Sequence, residues 1–94
     1  MAESIVALRK LIDAIDEKIV GLLNERAQIA LKIKERKTLE GFSLRDGERE
    51  EEIIRHVKAV NRGPLSSRAI EHLFRVIIEK MHELSKESVK SDKG

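Results

Sequence analysis

Nineteen Lys and Arg against seventeen Asp and Glu leave this 94-residue chain a net charge of only +2, spread along its length, so one domain with a small core is expected and nothing demands a nucleic-acid partner. The absence of cysteine excludes a disulfide framework and a thiolate metal site, and His56, His72 and His82 lack convincing ligand spacing, so no metal or other cofactor is expected. A mixture of 40% apolar and 38% charged residues, with Phe42 and Phe74 as the only aromatics, points to packed amphipathic helices.

Met-Ala-Glu-Ser at the N-terminus lacks the basic start and apolar run of a signal peptide, and no segment approaches the roughly 18 unbroken apolar residues of a membrane span. The chain therefore reads as soluble and cytoplasmic, with no membrane partner. A first helix is predicted from Glu3 or Ser4 to about Lys37, since Ile5, Leu8, Ile12, Ile15, Ile19 and Leu22, then Ile29 and Ile33, recur at helical spacing. Gly21 is its only poor helix former, a cost of about 1 kcal/mol. Such a rod measures roughly 50 Å, whereas a compact globule of this length is about 35 Å across. It must protrude or find a partner, and a second copy is the simplest cover for its apolar seam.

Thr38 to Arg45 reads as a loop hinged at Gly41, with Phe42 and Leu44 able to tuck back on the helices. Asp46 can cap a second helix whose early Glu48, Glu50, Glu51 and Glu52 suit the positive helix start, and Ile53, Ile54, Val57 and Val60 form its buried stripe. Asn61-Arg62-Gly63-Pro64 stops it, with Gly63 suited to the left-handed cap. Ser66 can cap a third helix, with Leu65 and Ile70 as a hydrophobic staple. Its apolar face is Ile70, Leu73, Phe74, Ile77, Ile78, Met81 and Leu84. The composition then turns polar, so residues 1–85 are expected to form the helical domain and 86–94 a fraying tail or linker.

Within the first seam one aliphatic position holds Arg26. A guanidinium there either pairs with a carboxylate of the protein or awaits an external anion. Arg26, Ala30, Ile33 and Lys37 share one stripe about 16 Å long, so two cations bracket two apolar residues as in the wall of an anion pocket. The plainer account is that Lys37 snorkels at a helix end and Arg26 meets an acidic residue of a facing helix. Asp46, Arg49 and Glu50 also share a face, able to present acid and base to one pocket or merely to form a capped start with an internal ion pair. Arg9 lies 17 residues before Arg26, about 25 Å along the rod and roughly 100° round it. One small ligand cannot touch both in the same chain, so Arg9 acts in trans or is an ordinary exposed arginine.

Ala7-Leu8-Arg9, Ile15-Asp16-Glu17-Lys18, Leu22-Leu23-Asn24-Glu25-Arg26, Lys37, Arg45-Asp46-Gly47-Glu48-Arg49-Glu50 and Leu73-Phe74-Arg75-Val76-Ile77-Ile78-Glu79, in this order, closely resemble the all-helical class of chorismate mutase from about Ile5 to Leu84. The resemblance implies an all-α fold, three helices per chain, one very long and two shorter, in an intertwined homodimer. It also implies the intramolecular Claisen rearrangement of chorismate, a small dianion, to prephenate on the route to phenylalanine and tyrosine. That reaction needs no nucleophile, metal or redox cofactor. By similarity, Arg26 and the partner chain's Arg9 hold the substrate carboxylates, Lys37 donates to the ether oxygen, Glu50 and the backbone at Asp46 hold the ring hydroxyl, and Arg49 supports the site. Where the family commonly has a serine and, four residues on, a glutamine, this sequence places Met81 and Ser85; Met81 cannot donate and Ser85 is short. That departure leaves room for an isochorismate pyruvate-lyase on the same fold. A non-catalytic dimerisation or regulatory module is a third reading, and fusion to another domain of aromatic biosynthesis is compatible with the polar tail.

Overall fold

The computed structural model describes residues 4–41 and 46–90, with side-chain surroundings through Leu84. Three helices account for the described residues: α1 (Ile5–Glu40), α2 (Gly47–Val60) and α3 (Ser67–Lys90). Ser4 caps α1 in extended geometry, its hydroxyl accepting the Ala7 N–H at 3.0 Å. The helix crosses Gly21 unbroken and ends only at Gly41, where φ is +80° and the cap N–H reaches back to the Lys37 and Thr38 carbonyls. Thr38 to Glu40, expected in a loop, are thus helical. Nothing in Thr-Leu-Glu breaks a helix: the Thr38 hydroxyl donates to the Lys34 carbonyl at 3.0 Å, and Arg36 meets Glu40 at 3.9 Å. The expected packing of Phe42 and Leu44 lies outside the described residues.

Asp46 caps α2 as expected, its carboxylate accepting the Arg49 N–H at 3.1 Å, with Glu48 and Glu50 in the first turn. At the other end the C-cap is Asn61 in extended conformation, and Gly63 takes its positive φ of 74° two residues later, not at the cap itself. The Asn61 amide replaces the expected glycine cap by bridging the turn: it donates to the Leu65 carbonyl at 2.7 Å and accepts the Gly63 N–H at 3.1 Å. Ser66 caps α3 through the Ala69 N–H at 3.0 Å. The α3 backbone remains helical to Lys90, so the first residues of the polar stretch extend the helix.

Packing centres on α3, which lies against both α2 and the C-terminal half of α1. Glu51 forks onto the Arg75 guanidinium at 3.1 and 3.2 Å, and Glu71 joins Arg75 (2.9 Å) to Lys58 (3.0 Å), tying α2 to α3. Each carboxyl is held below the usual carboxylate range: Glu51 chiefly by its Arg75 hydrogen bonds, Glu71 by those from Lys58 and Arg75. Only Ile54 is buried among the described residues, at 3% exposure. Val60 and Leu73, expected inside, are exposed in the single chain.

On α1 the half-buried positions are Leu23, Arg26, Ala27, Ala30, Leu31, Lys34 and Lys37. This face is turned about 60° from the aliphatic seam, so Ile5 through Leu22, with Ile29 and Ile33, stay largely exposed in the single chain. Arg26 and Lys37 lie on the border between the two faces. The longest dimension is 59 Å and the radius of gyration 16.9 Å, well above the roughly 12 Å of a compact chain of this length.

Candidate active site

All three helices contribute to one cavity of about 310 Å³. Arg26, Ile29, Ala30, Ile33, Lys34 and Lys37 form its α1 wall, so the stripe read from the sequence is a cavity wall in the structure. Asp46, Arg49, Glu50 and Ile53 come from the start of α2, and Ile78, Met81 and His82 from α3. The reason these elements meet is local. Asp46 starts α2 and so fixes which of its residues turn inward, while the Glu51–Arg75–Glu71–Lys58 network and Ile54 hold α2 against α3.

Charge in the cavity is unbalanced. Among the described residues four cations and two carboxylates line it, an excess of two positive charges. Among the described Lys and Arg side chains only Arg26, Lys34 and Lys37 are half-buried, and none of these three has an ion pair or side-chain hydrogen bond to the described residues. The facing-helix carboxylate that would have neutralised Arg26 is therefore not its partner. Burial, and then the neighbouring Arg49 cation, lower the pKa of the Arg26 guanidinium. Both effects disfavour the charged form, and a bound anion would reverse them. Arg49 is occupied elsewhere, reaching Glu52 at 3.2 Å in an exposed i,i+3 pair.

Six of the residues singled out from the sequence thus meet in one place: Arg26, Lys37, Asp46, Arg49, Glu50 and Met81. Arg9 does not; it is exposed on the far half of α1 and outside the cavity. The Ser85 side chain and Arg45 lie outside the described residues.

The sequence profile described as chorismate mutase type II matches residues 8–86. The chain belongs to this family. In a bifunctional chorismate mutase/prephenate dehydratase of Aquifex aeolicus (strain VF5), 88 residues align at 39% identity, covering 89% of this chain and 24% of that protein. The corresponding bifunctional protein of Neisseria gonorrhoeae (strain ATCC 700825 / FA 1090) is 41% identical over 76 residues, 81% of this chain and 20% of that protein. The chain spans about a quarter or less of the length of these curated relatives. Among solved structures, chorismate mutase (form II) of Thermus thermophilus superposes with a TM-score of 0.87 at 33% identity, covering 97% of this chain and all of that one. The chain is a chorismate mutase domain of the three-helix, all-α kind that the resemblance implied.

Two polar lining residues of this mutase domain, Lys34 and His82, are not among those the sequence singles out for the site. Lys34 lies four residues after Ala30, about 80° round the wheel from Arg26, at the edge of the stripe. His82 lies four residues after Ile78 and so shares its face. Ligand spacing argues only against a metal role for it, whereas helical spacing from Ile78 marks it as a neighbour of the packed side.

Proposed function

We propose that the cavity binds chorismate and catalyses its Claisen rearrangement to prephenate, in the biosynthesis of phenylalanine and tyrosine. The observation that carries this reading is the set of half-buried, unpaired cations on the α1 wall, in a cavity with two surplus positive charges. A small dianion matches that surplus, and 310 Å³ suits a compact ligand. Arg26 holds one carboxylate through its planar fork, while Lys37, as a point charge, donates to the ether oxygen, on which negative charge grows as the C–O bond breaks. Glu50 and the backbone at Asp46 hold the ring hydroxyl, and Arg49 keeps the α2 wall positive towards Arg26. Ile29, Ile33, Ile53 and Ile78 supply apolar walls that favour the folded conformer of the ligand and raise the effect of each charge. Rearrangement is unimolecular, so selecting that conformer and stabilising the developing charge account for catalysis without a covalent intermediate.

The catalytic unit is an intertwined homodimer in which the partner's α1 brings its own Arg9 to the second carboxylate. Three observations support the dimer. The seam from Ile5 to Leu22 is uncovered, only Ile54 is buried among the described residues, and the accessible surface is 7860 Å². A compact monomer of this mass exposes only about 5,500 Å², and the excess has the size of an obligate interface. Residues 1–85 form the catalytic unit, and fusion of that unit to a further domain is compatible with the bifunctional relatives. The cellular setting is the cytoplasm; no described helix is long and apolar enough to cross a membrane.

A steady-state assay that follows chorismate loss and identifies the product tests the reading. Prephenate formed mole for mole is the expected result. Release of pyruvate from isochorismate with no turnover of chorismate would replace it with the lyase, and ligand binding without turnover would replace it with a regulatory module.

A further inference from the structure

Lys34 stands where α1 packs against α3. Leu23, Ala27, Ala30 and Leu31 are the half-buried apolar residues of that face, and the next position in the series is Lys34. An apolar side chain is expected there, because a cation on a packed face loses hydration and regains it only through a partner. No carboxylate of the described residues supplies one. Three residues on, Lys37 is also half-buried and unpaired, and both line the same cavity. Like charges at this spacing on one helix face repel. Elsewhere the chain sets cations beside acids at the same or similar spacing, as in Arg36–Glu40, Arg49–Glu52 and Lys80–Glu83. The 34/37 pair departs from that pattern on the wall of the cavity that all three helices share.

We propose that Lys34 is a substrate-binding residue: its ammonium holds a carboxylate of the dianion at the Lys37 end of the cavity and sets affinity, while Lys37 acts on the bond that breaks. This rests on the chorismate reading above. Lys34 also explains how one chain alone reaches an excess of two positive charges around the ligand. The partner's Arg9 then adds to a site already matched in charge.

The repulsion between the two lysines gives a readout that a structural role would not. Lys34→Gln relieves it, so the unliganded variant should keep its helicity and melt at or above the wild-type temperature. Chorismate should then bind more weakly: KM rises about three- to tenfold, the range for one partly solvated charge contact, with kcat within about twofold. Lys34→Arg should restore most of the affinity, and the salt dependence of KM should be shallower in Lys34→Gln than in wild type. Unchanged KM in Lys34→Gln with an active wild type overturns this inference alone. A Lys34→Gln chain that fails to fold overturns it too, because the lysine would then be a structural element. Wild-type protein inert towards chorismate overturns the functional reading and the inference together.

Discussion

Replacing Arg26 by methionine keeps most of the side-chain stem and removes the charge, so it separates the two things this residue does in the structure. Arg26 is half-buried, has no ion pair with the described residues, and is disfavoured as a cation by burial and by Arg49. Removing it should therefore leave the unliganded protein as stable as wild type or slightly more so. For a cation whose folded pKa is lowered, the lost stability would be recovered only as pH rises through that value, far above neutrality, so no pH dependence near pH 7 is expected from it. With substrate bound the sign reverses. A guanidinium fork on a carboxylate makes two charge-assisted hydrogen bonds of about 1.5–3 kcal/mol each. Allowing for the half-open cavity, the loss is about 3–4 kcal/mol, or roughly 100- to 1000-fold in kcat/KM. Arg26→Lys should recover only part of this, since a point charge cannot reproduce the fork. Initial rates against chorismate concentration, with thermal midpoints measured on the same preparations, give both quantities. If Arg26→Met keeps kcat/KM within about fivefold of wild type, or loses activity only by unfolding, the cavity does not work as described.

Ile54 is the only buried residue among the described residues. Ile54→Ala should therefore cost about 2–4 kcal/mol in denaturant unfolding at fixed protein concentration, and a loss below about 1 kcal/mol would mean that the α2–α3 contact contributes little. Hydrogen bonds from Arg75 to Glu51, and from Lys58 and Arg75 to Glu71, hold both carboxyls below the usual carboxylate range. Their stabilisation is complete above the unfolded value and disappears as pH falls through the folded ones. Wild type should thus lose more stability than Arg75→Gln between about pH 5 and pH 3, and parallel acid profiles would refute the network. The trans role proposed for Arg9 predicts complementation. Arg9→Ala and Arg26→Ala chains, each inactive alone, should regain about a quarter of wild-type sites after equal mixing and exchange, since heterodimers make up half of the population and carry one intact site each. No recovery on mixing would exclude a shared site.

Helix boundaries were legible where capping chemistry was strong. Ser4, Asp46 and Ser66 start helices at the expected points because each places an oxygen on a backbone N–H three residues on. The ends were less so. Thr38 to Glu40 carry no signal that stops a helix, and Asn61 capped α2 through a side-chain bridge that spacing alone does not reveal. The aliphatic seam of α1 was legible as one stripe, which is exposed in the single chain, but its position on the helix could not say that α3 packs about 60° away. That rotation sets the site: it leaves Arg26 and Lys37 at the border of two faces and brings Lys34 into the cavity. The charged stripe was visible because Arg26 interrupts an apolar series. Lys34 was not, because the face it interrupts is defined only once α3 is in place.

The most direct test of the central claim is turnover by the purified chain itself, with the product identified by nuclear magnetic resonance and active sites counted by titration with a tight-binding dianion. Conversion of chorismate to prephenate as the sole product, abolished when Lys37 is replaced by alanine although the fold and dianion binding persist, is the predicted result. Chorismate left unchanged by a folded wild-type chain, or turnover undiminished in Lys37→Ala, would contradict the account.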